Sequence, residues 1–233
     1  MNDDSASALP PPPLPRHFAA TREALHLVAA RVLGAARYAA VGRLGLIVVP
    51  GGFATPEFDG RQLLVVDGIL SDGSRRRPLT TLQDAFAFAG VDPDAPTHPV
   101  LDHPADPTAP LDVDSDAARF LARWFAFGQG IVEAFAAGSD DADDTSSIQL
   151  WPEHFDLAVD KGAPGTRAGY GASPGDTTID EPHIYVSFHD HHDGPFWNIS
   201  FGAALTYREI DAGADPLAFF RRGYELLHIP QGQ

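Results

Sequence analysis

The chain has 233 residues, of which 44% are hydrophobic, so it can bury an ordinary core and is not disordered as a whole. Its formal net charge of -16 repels nucleic-acid phosphates and anionic lipids, which argues against a nucleic-acid or membrane partner. It has no cysteine, which excludes disulfides, thiol nucleophiles and thiolate zinc sites and leaves only histidine and carboxylate side chains for any metal.

The N-terminal segment, 1–16, is acidic and rich in proline, and we predict a disordered leader there. It lacks the apolar core of a signal peptide, and no later run reaches membrane-spanning length, so we expect a cytoplasmic protein. From 17 to 233 the pattern predicts a single α+β domain. Its two packed halves, 17–91 and 113–233, would be joined by a loop over 92–112 that contains too many prolines for a regular element.

The first half begins with a predicted helix from about Thr21 to Gly42, where apolar residues recur at the spacing of one buried helical face. Two apolar runs, 43–50 and 61–67, follow and predict strands that are buried on both faces or nearly so.

A hairpin is predicted at Asp72-Gly73, and a short helix follows it. Thr81 is expected to cap the start of this helix, and Gly90 is expected to close it in a left-handed conformation. A second long helix is predicted after a cap at Ser115, with its aromatic side chains in the core.

The second half changes to a period of two, which predicts strands over 154–159, 183–189 and 196–201. A final helix is predicted after Asp215-Pro216. The order of elements predicts an α+β fold, with mainly antiparallel sheets packed by two long helices, a short helix and a C-terminal helix.

Half of the ten histidines lie in one stretch, 151–198, among several carboxylates. Residues two apart on a strand share a face, with α-carbons about 6.5 to 7 Å apart, so their side chains could chelate one ion. Two pairs have this spacing: His154 with Asp156, and His189 with His191. If their strands were neighbours, the four side chains could hold zinc, iron or manganese with a position open for water.

Other readings of this stretch remain open. The run H-D-H-H-D-G could be an exposed polar turn, and Asp156 could be a hydrogen-bonded structural carboxylate. The helical zinc signature H-E-x-x-H is absent, and Pro195 and Phe196 stand where a cupin would place a glutamate.

Six short motifs follow one another along the chain: T-R-E-A-L-H-L-V, G-L-I-V-V-P-G-G-F-A-T-P, F-D-L-A-V, S-P-G, E-P-x-x-Y and A-F-F-R-R-G-Y. In this order they resemble a largely actinobacterial family catalogued as domain of unknown function 5996, from about Arg16 to Leu227. The resemblance implies one structural unit that includes both halves, and it implies no reaction.

The positions that match the family pattern are Thr21, His26, Asp156, Glu181 and Tyr185. The resemblance implies a site formed by His26 and the carboxylates of Asp156 and Glu181, which could transfer protons or bind a ligand cation. Five histidines depart from the family pattern, which puts the metal site in question: His154, His183, His189, His191 and His192. A histidine within an apolar helix could equally hydrogen-bond a core carboxylate.

Two classes of function follow. We favour a small-molecule ligand-binding or interaction module, and the alternative is a small-molecule enzyme, with or without a divalent metal. The pocket candidates are His26, Asp156, Glu181, Tyr185 and Trp197; in the non-catalytic module their polar groups would tie helix to sheet.

Overall fold

The computed structural model describes residues 13–138, 144–188 and 193–228. Within these ranges the chain forms helices and two antiparallel sheets, which confirms the predicted α+β class. Most of the predicted leader lies outside the described residues, although Leu14 packs partly against the core.

The N-terminal helical segment runs from Phe18 to Val41 as α1 (Phe18–Val28), a π-helical turn (Ala29–Gly34) and α2 (Ala35–Val41). Gly42 ends it with a φ of 66°, as predicted. By length and composition alone this segment could cross a membrane, but 56% of its most apolar window is buried within the protein. Because a buried core helix passes the same test, this is weak evidence for a membrane span.

The first sheet is a five-stranded meander in the order β1-β2-β3-β4-β5. Its strands are β1 (Ile47–Val49), β2 (Gly52–Ala54), β3 (Leu64–Val66), β4 (Ile69–Ser71) and β5 (Arg76–Pro78). The strands predicted at 43–50 and 61–67 therefore exist but are shorter, and their burial on both faces is wrong. All three residues of β1 are only half-buried, and β3 is fully buried only at its central residue, Val65.

The helix α3 (Leu82–Ala89) follows the meander and has both predicted caps. The Thr81 hydroxyl accepts a hydrogen bond from the Asp84 amide, and Gly90 adopts a φ of 68°. The loop after it contains a single short 3-10 helix, Pro99–Leu101, and is otherwise irregular.

The long helix α4 (Ser115–Ala137) packs against β1 and β2 of the first sheet and against β8 and β9 of the second. Its N-cap is Asp114, which accepts hydrogen bonds from the amides of Asp116 and Ala117, so the predicted cap at Ser115 is wrong by one residue. Buried side chains from both sheets and from α4 form one hydrophobic cluster.

The second sheet has the strand order β11-β10-β9-β8-β6, and β7 also pairs with β8. Its strands are β6 (Asp144–Thr145), β7 (Gln149–Trp151), β8 (Asp156–Gly162), β9 (Ala168–Ser173), β10 (His183–Ser187) and β11 (Gly202–Thr206). An isolated bridge between Leu46 and Leu150 joins this sheet to the segment that leads into the first one.

The strand predicted over 196–201 is wrong, because the strand in this region is β11 and begins at Gly202. The Asn198 side chain accepts a hydrogen bond from the Ala204 amide and donates one to the Ala204 carbonyl. These two bonds fold 196–201 back as a loop, so its alternating residues do not extend the sheet.

Two helices complete the chain. The short α5 (Tyr207–Asp211) starts with a capping box between Thr206 and Glu209 and was not predicted. The predicted terminal helix is confirmed as α6 (Pro216–His228), with Asp215 accepting from the amides of residues 217 and 218. Helix α6 packs on β10 and β11.

Candidate functional site

The two faces of the second sheet have different surroundings. On one face the Tyr170 ring contacts Phe135 of α4 at 4.4 Å and Phe220 of α6 at 5.6 Å between ring centroids. Because side chains alternate along a strand, the residues adjacent to Tyr170 and Ala172 in β9 point to the opposite face. That opposite face carries the polar side chains of the site.

Strand register places three of these polar residues in one row. His183 of β10 lies directly opposite Ser173 of β9. The pairing of Leu157 with Ala172 puts Asp156, the first residue of β8, beside Ser173 on its other side. Asp156, Ser173 and His183 therefore cross three neighbouring strands side by side, on the face away from α4 and α6.

Tyr185 lies in the next row, opposite Gly171. A β-carbon at position 171 would stand 2.5 Å from both Cζ and Oη of the tyrosine, so the ring occupies the space that a side chain would fill. Across this gap the Tyr185 hydroxyl donates a hydrogen bond to Oδ2 of Asp156, two strands away. The missing side chain of Gly171 is thus what lets these two polar groups meet.

Asp156 is 7% exposed, and the second oxygen of its carboxyl group, Oδ1, is buried with no hydrogen-bond partner. Removal from water raises its pKa from 3.8 to about 6, against the opposing effects of the Tyr185 hydroxyl and of His154. Burial and the neighbouring carboxylate also raise the pKa of Tyr185 well above 10, so the phenol stays protonated and donates.

The His183 ring is also buried. Its Nδ1 lies 3.0 Å from the Glu181 carbonyl oxygen, and since a carbonyl only accepts, Nδ1 carries the proton of this bond. Burial lowers the pKa of His183, which favours the neutral ring. In that tautomer Nε2 has a free lone pair and acts as an acceptor.

These side chains line a cavity of about 310 Å³. Five of its lining residues come from strands: Asp156, Ser173, His183, Tyr185 and Ser187. Three more come from connecting segments: His154, Asp176 and Phe201. Among the residues that the structure describes, the cavity lining includes two carboxylates and no lysine or arginine, so the cavity favours positively charged or hydrogen-bond-donating groups.

Of the predicted pocket residues, Asp156 and Tyr185 line the cavity, and His26 does not. His26 Nε2 donates to the Glu153 carbonyl at 3.2 Å, and its ring stacks on Phe155 with centroids 5.4 Å apart. The Phe155 ring also contacts Phe125 of α4, with centroids 5.2 Å apart, so a residue of α1 that packs on Phe155 lies on the helix side of the sheet and away from the cavity. The predicted set of His26, Asp156 and Glu181 is therefore not assembled around one cavity.

Glu181 and Trp197 likewise fall outside the cavity lining. The Glu181 carboxylate lies 3.5 Å from Nε of Arg208, and its backbone carbonyl accepts from His183. Trp197 packs edge-on against Phe196, with ring centroids 5.0 Å apart. Glu181 therefore supports the site through its backbone.

Of the two predicted metal-binding pairs, the structure describes only His154 with Asp156. His154 lies in the turn before β8, so its predicted place on the same strand face as Asp156 is wrong. His189 and His191 lie outside the described residues. Within the parts of the chain that the structure describes, no three His, Asp or Glu side chains are grouped so that they could hold a metal ion.

The sequence reasoning missed Ser173, Asp176, Ser187 and Phe201, and it did not assign His183 to the pocket. Alternation in H-I-Y-V-S already placed His183 and Ser187 on the Tyr185 face, so that signal was available. The strand β9 was not predicted. Without it, nothing in the sequence indicated that the glycines of β9 lie opposite Tyr185 and Ser187 of β10.

The fold and the site together define an α+β protein with a small, acidic cavity on the face of an antiparallel sheet opposite its helices. The chain matches no protein-family model, no curated protein and no solved structure.

Proposed function

We propose that this protein is a small-molecule binding module whose cavity takes a ligand with a protonated amine. The observation that carries this proposal is the buried Oδ1 of Asp156, which lacks a donor in a residue that lines the cavity. A buried acceptor without a partner costs about 1 to 3 kcal/mol, so a ligand that donates to it recovers that free energy.

The charge of the site supports a cationic ligand over a neutral one. Asp156 and Asp176 both line the cavity, and the whole chain has a net charge of -16. Such a field concentrates cations near the surface, and an ammonium group would stabilise the ionised form of Asp156. The volume is at the lower end of the range of roughly 300 to 1,000 Å³ for ligand pockets, which favours a small molecule.

Calorimetric titration with n-butylamine tests this proposal, with n-butanol as the uncharged probe of the same chain length. We expect saturable binding of the amine, and binding of the alcohol at least about tenfold weaker. Asp156→Asn keeps the shape and an acceptor for Tyr185 but removes the charge, and should weaken amine binding by about tenfold or more.

Asp160→Asn is the matched control, since Asp160 is an exposed residue of the same strand face and does not line the cavity. Its affinity for n-butylamine should equal that of the wild type. Equal affinities in the wild type and in Asp156→Asn, or no saturable amine binding, would overturn the proposal.

The alternative proposal is an enzyme that transfers protons through Asp156. Its pKa of about 6 lies near neutrality, where a carboxylate is an effective general acid or base. Incubation of the wild type and of Asp156→Asn with a mixture of small amines, followed by mass spectrometry, separates the two functions. An enzyme converts an amine that the variant leaves intact, whereas a binding module returns every amine unchanged.

The metal-assisted form of this enzyme would use the pairs that contain His154, Asp156, His189 and His191. Metal analysis of protein purified without a histidine tag tests it. Stoichiometric zinc, iron or manganese that is lost after His189→Ala and His191→Ala would support it, and metal-free protein would contradict it.

A further inference from the structure

We infer that the ligand is a short aliphatic diamine, with one amine at Asp156 and the other at the end of the cavity formed by His183 and Asp176. This inference rests on the proposed amine-binding function and specifies its ligand.

The row of residues across the sheet sets the distance between the two ends. Asp156 and His183 are separated by two inter-strand spacings, with Ser173 between them. Their α-carbons are therefore about 9.5 Å apart. Because both side chains project from the same face, their acceptor atoms are separated by about the same distance as the α-carbons. A hydrogen bond of about 2.9 Å at each end then leaves about 4 to 7 Å between two donor nitrogens, depending on the angles.

The second end has the chemistry to hold an ammonium group. Nδ1 of His183 is used by the Glu181 carbonyl, so Nε2 is the nitrogen that can accept. Asp176 lines the same cavity, and its negative charge and that of Glu181 act on His183 against the opposing positive charge of Arg22. Oδ1 of Asp176 accepts from the amides of Thr178 and Ile179, which holds the carboxylate in place.

Aromatic rings are available for the carbon chain between the two amines. The rings of Tyr185 and Phe201 both line the cavity, with centroids 6.3 Å apart at an interplanar angle of 80°. Such rings offer apolar surface to methylene groups. The cavity thus has acceptors in two places for the two amines of a diamine, and apolar surface for the carbon chain that joins them.

Putrescine and n-butylamine test this inference, because they share a four-carbon chain and differ only in the second amine. Titrations at constant ionic strength should show that the wild type binds putrescine about tenfold or more tightly than n-butylamine. Asp176→Asn keeps an acceptor for the two amides and should reduce this preference to about threefold or less, while the affinity for n-butylamine stays unchanged.

A second variant, His183→Phe, removes the acceptor nitrogen and retains a ring. It should also reduce the preference for putrescine over n-butylamine to about threefold or less. Asp160→Asn should retain the full preference, which separates a local effect from the overall acidity of the chain. Equal binding of the two probes by the wild type, or a preference for putrescine that persists in both cavity variants, would overturn the inference of a diamine ligand. Absence of n-butylamine binding would instead overturn the amine site itself and the diamine with it.

Discussion

The ring of Tyr185 lies over the backbone of Gly171, where a β-carbon would stand 2.5 Å from the phenol Cζ and Oη. No real side chain tolerates that contact, so glycine at this position is required for the tyrosine hydroxyl to reach Asp156 on the far strand. The site thus depends on a residue that contributes no functional group to it.

Gly171→Ala should displace the Tyr185 ring and break its hydrogen bond to Asp156. We expect a loss of about 1 to 3 kcal/mol in the free energy of unfolding, measured with urea, because the ring must move within a packed face. Gly130→Ala is the matched control: its β-carbon would meet nothing within 4 Å, and alanine favours the helix. If Gly171→Ala is as stable as the wild type, the proposed contact is wrong.

Asp156→Asn should change how stability depends on pH. The folded carboxyl, with a pKa of about 6, holds its proton between pH 4 and 6, where the unfolded carboxyl, with a pKa near 3.8, has lost it. This group therefore favours folding at low pH and loses that contribution as pH rises through 6. The variant should gain up to about 3 kcal/mol relative to the wild type between pH 4 and 7.

Urea unfolding of both proteins at several pH values in this range measures the difference. Asp160→Asn, which changes an exposed carboxyl on the same strand, should show a small difference from the wild type throughout. A difference for Asp156→Asn that does not vary with pH would contradict the raised pKa.

His26→Gln should shift stability in the opposite direction. Burial and the nearby His103 lower the pKa of His26 from 6.5 to about 4, with weaker opposing effects from Glu23 and from the backbone of Glu153 and Pro152. The unfolded histidine thus binds a proton between pH 6.5 and 4 that the folded one does not, so this group's contribution is present above pH 6.5 and is lost as pH falls toward 4.

Glutamine cannot be protonated in this range and can still donate to the Glu153 carbonyl. Relative to the wild type, the variant should therefore gain up to about 3 kcal/mol as the pH falls from 7 to 4. His17→Gln is the control because His17 is an exposed residue just before the same helix. A parallel pH dependence of His26→Gln and the wild type would show that His26 is not held neutral.

Thr21→Val should loosen the contact between α1 and the start of α4. The buried Thr21 hydroxyl donates to the Asp112 carbonyl at 3.1 Å and accepts from the Asp114 amide at 2.9 Å. Valine has the same shape without the hydroxyl and leaves both backbone groups unpaired, so we expect a loss of about 1 to 3 kcal/mol in thermal or urea unfolding. Thr21→Ser keeps both bonds and should lose clearly less.

Prediction from sequence succeeded for features whose hydrogen bonds join residues that are close together in the chain. The caps at Thr81, Gly90 and Asp215 were predictable because a cap bonds to amides or carbonyls within the adjacent turn. The strand expected at 196–201 failed because Asn198 bonds to Ala204, beyond the run whose alternation suggested a strand.

The candidate site was likewise predictable only in the parts that depend on neighbouring residues. Alternation within β10 put His183 and Tyr185 on one face, and the acidic, cysteine-free composition limited the chemistry. Their approach to Asp156 depends on the register of β8, β9 and β10, which pairs residues far apart in the chain. His26 was assigned to the same pocket from the family resemblance, and no local pattern states which side of the sheet α1 covers.

The sequence by itself determined the main helices, the caps at Thr81, Gly90 and Asp215, the α+β class and the net negative charge, because these follow from short-range periodicity and composition. Only the tertiary structure decided that Asp156 lies beneath a tyrosine that passes over Gly171, and that His26 packs on Phe155 instead. The physical reason is that strand register and helix packing are set by burial of the whole core, which no single segment encodes.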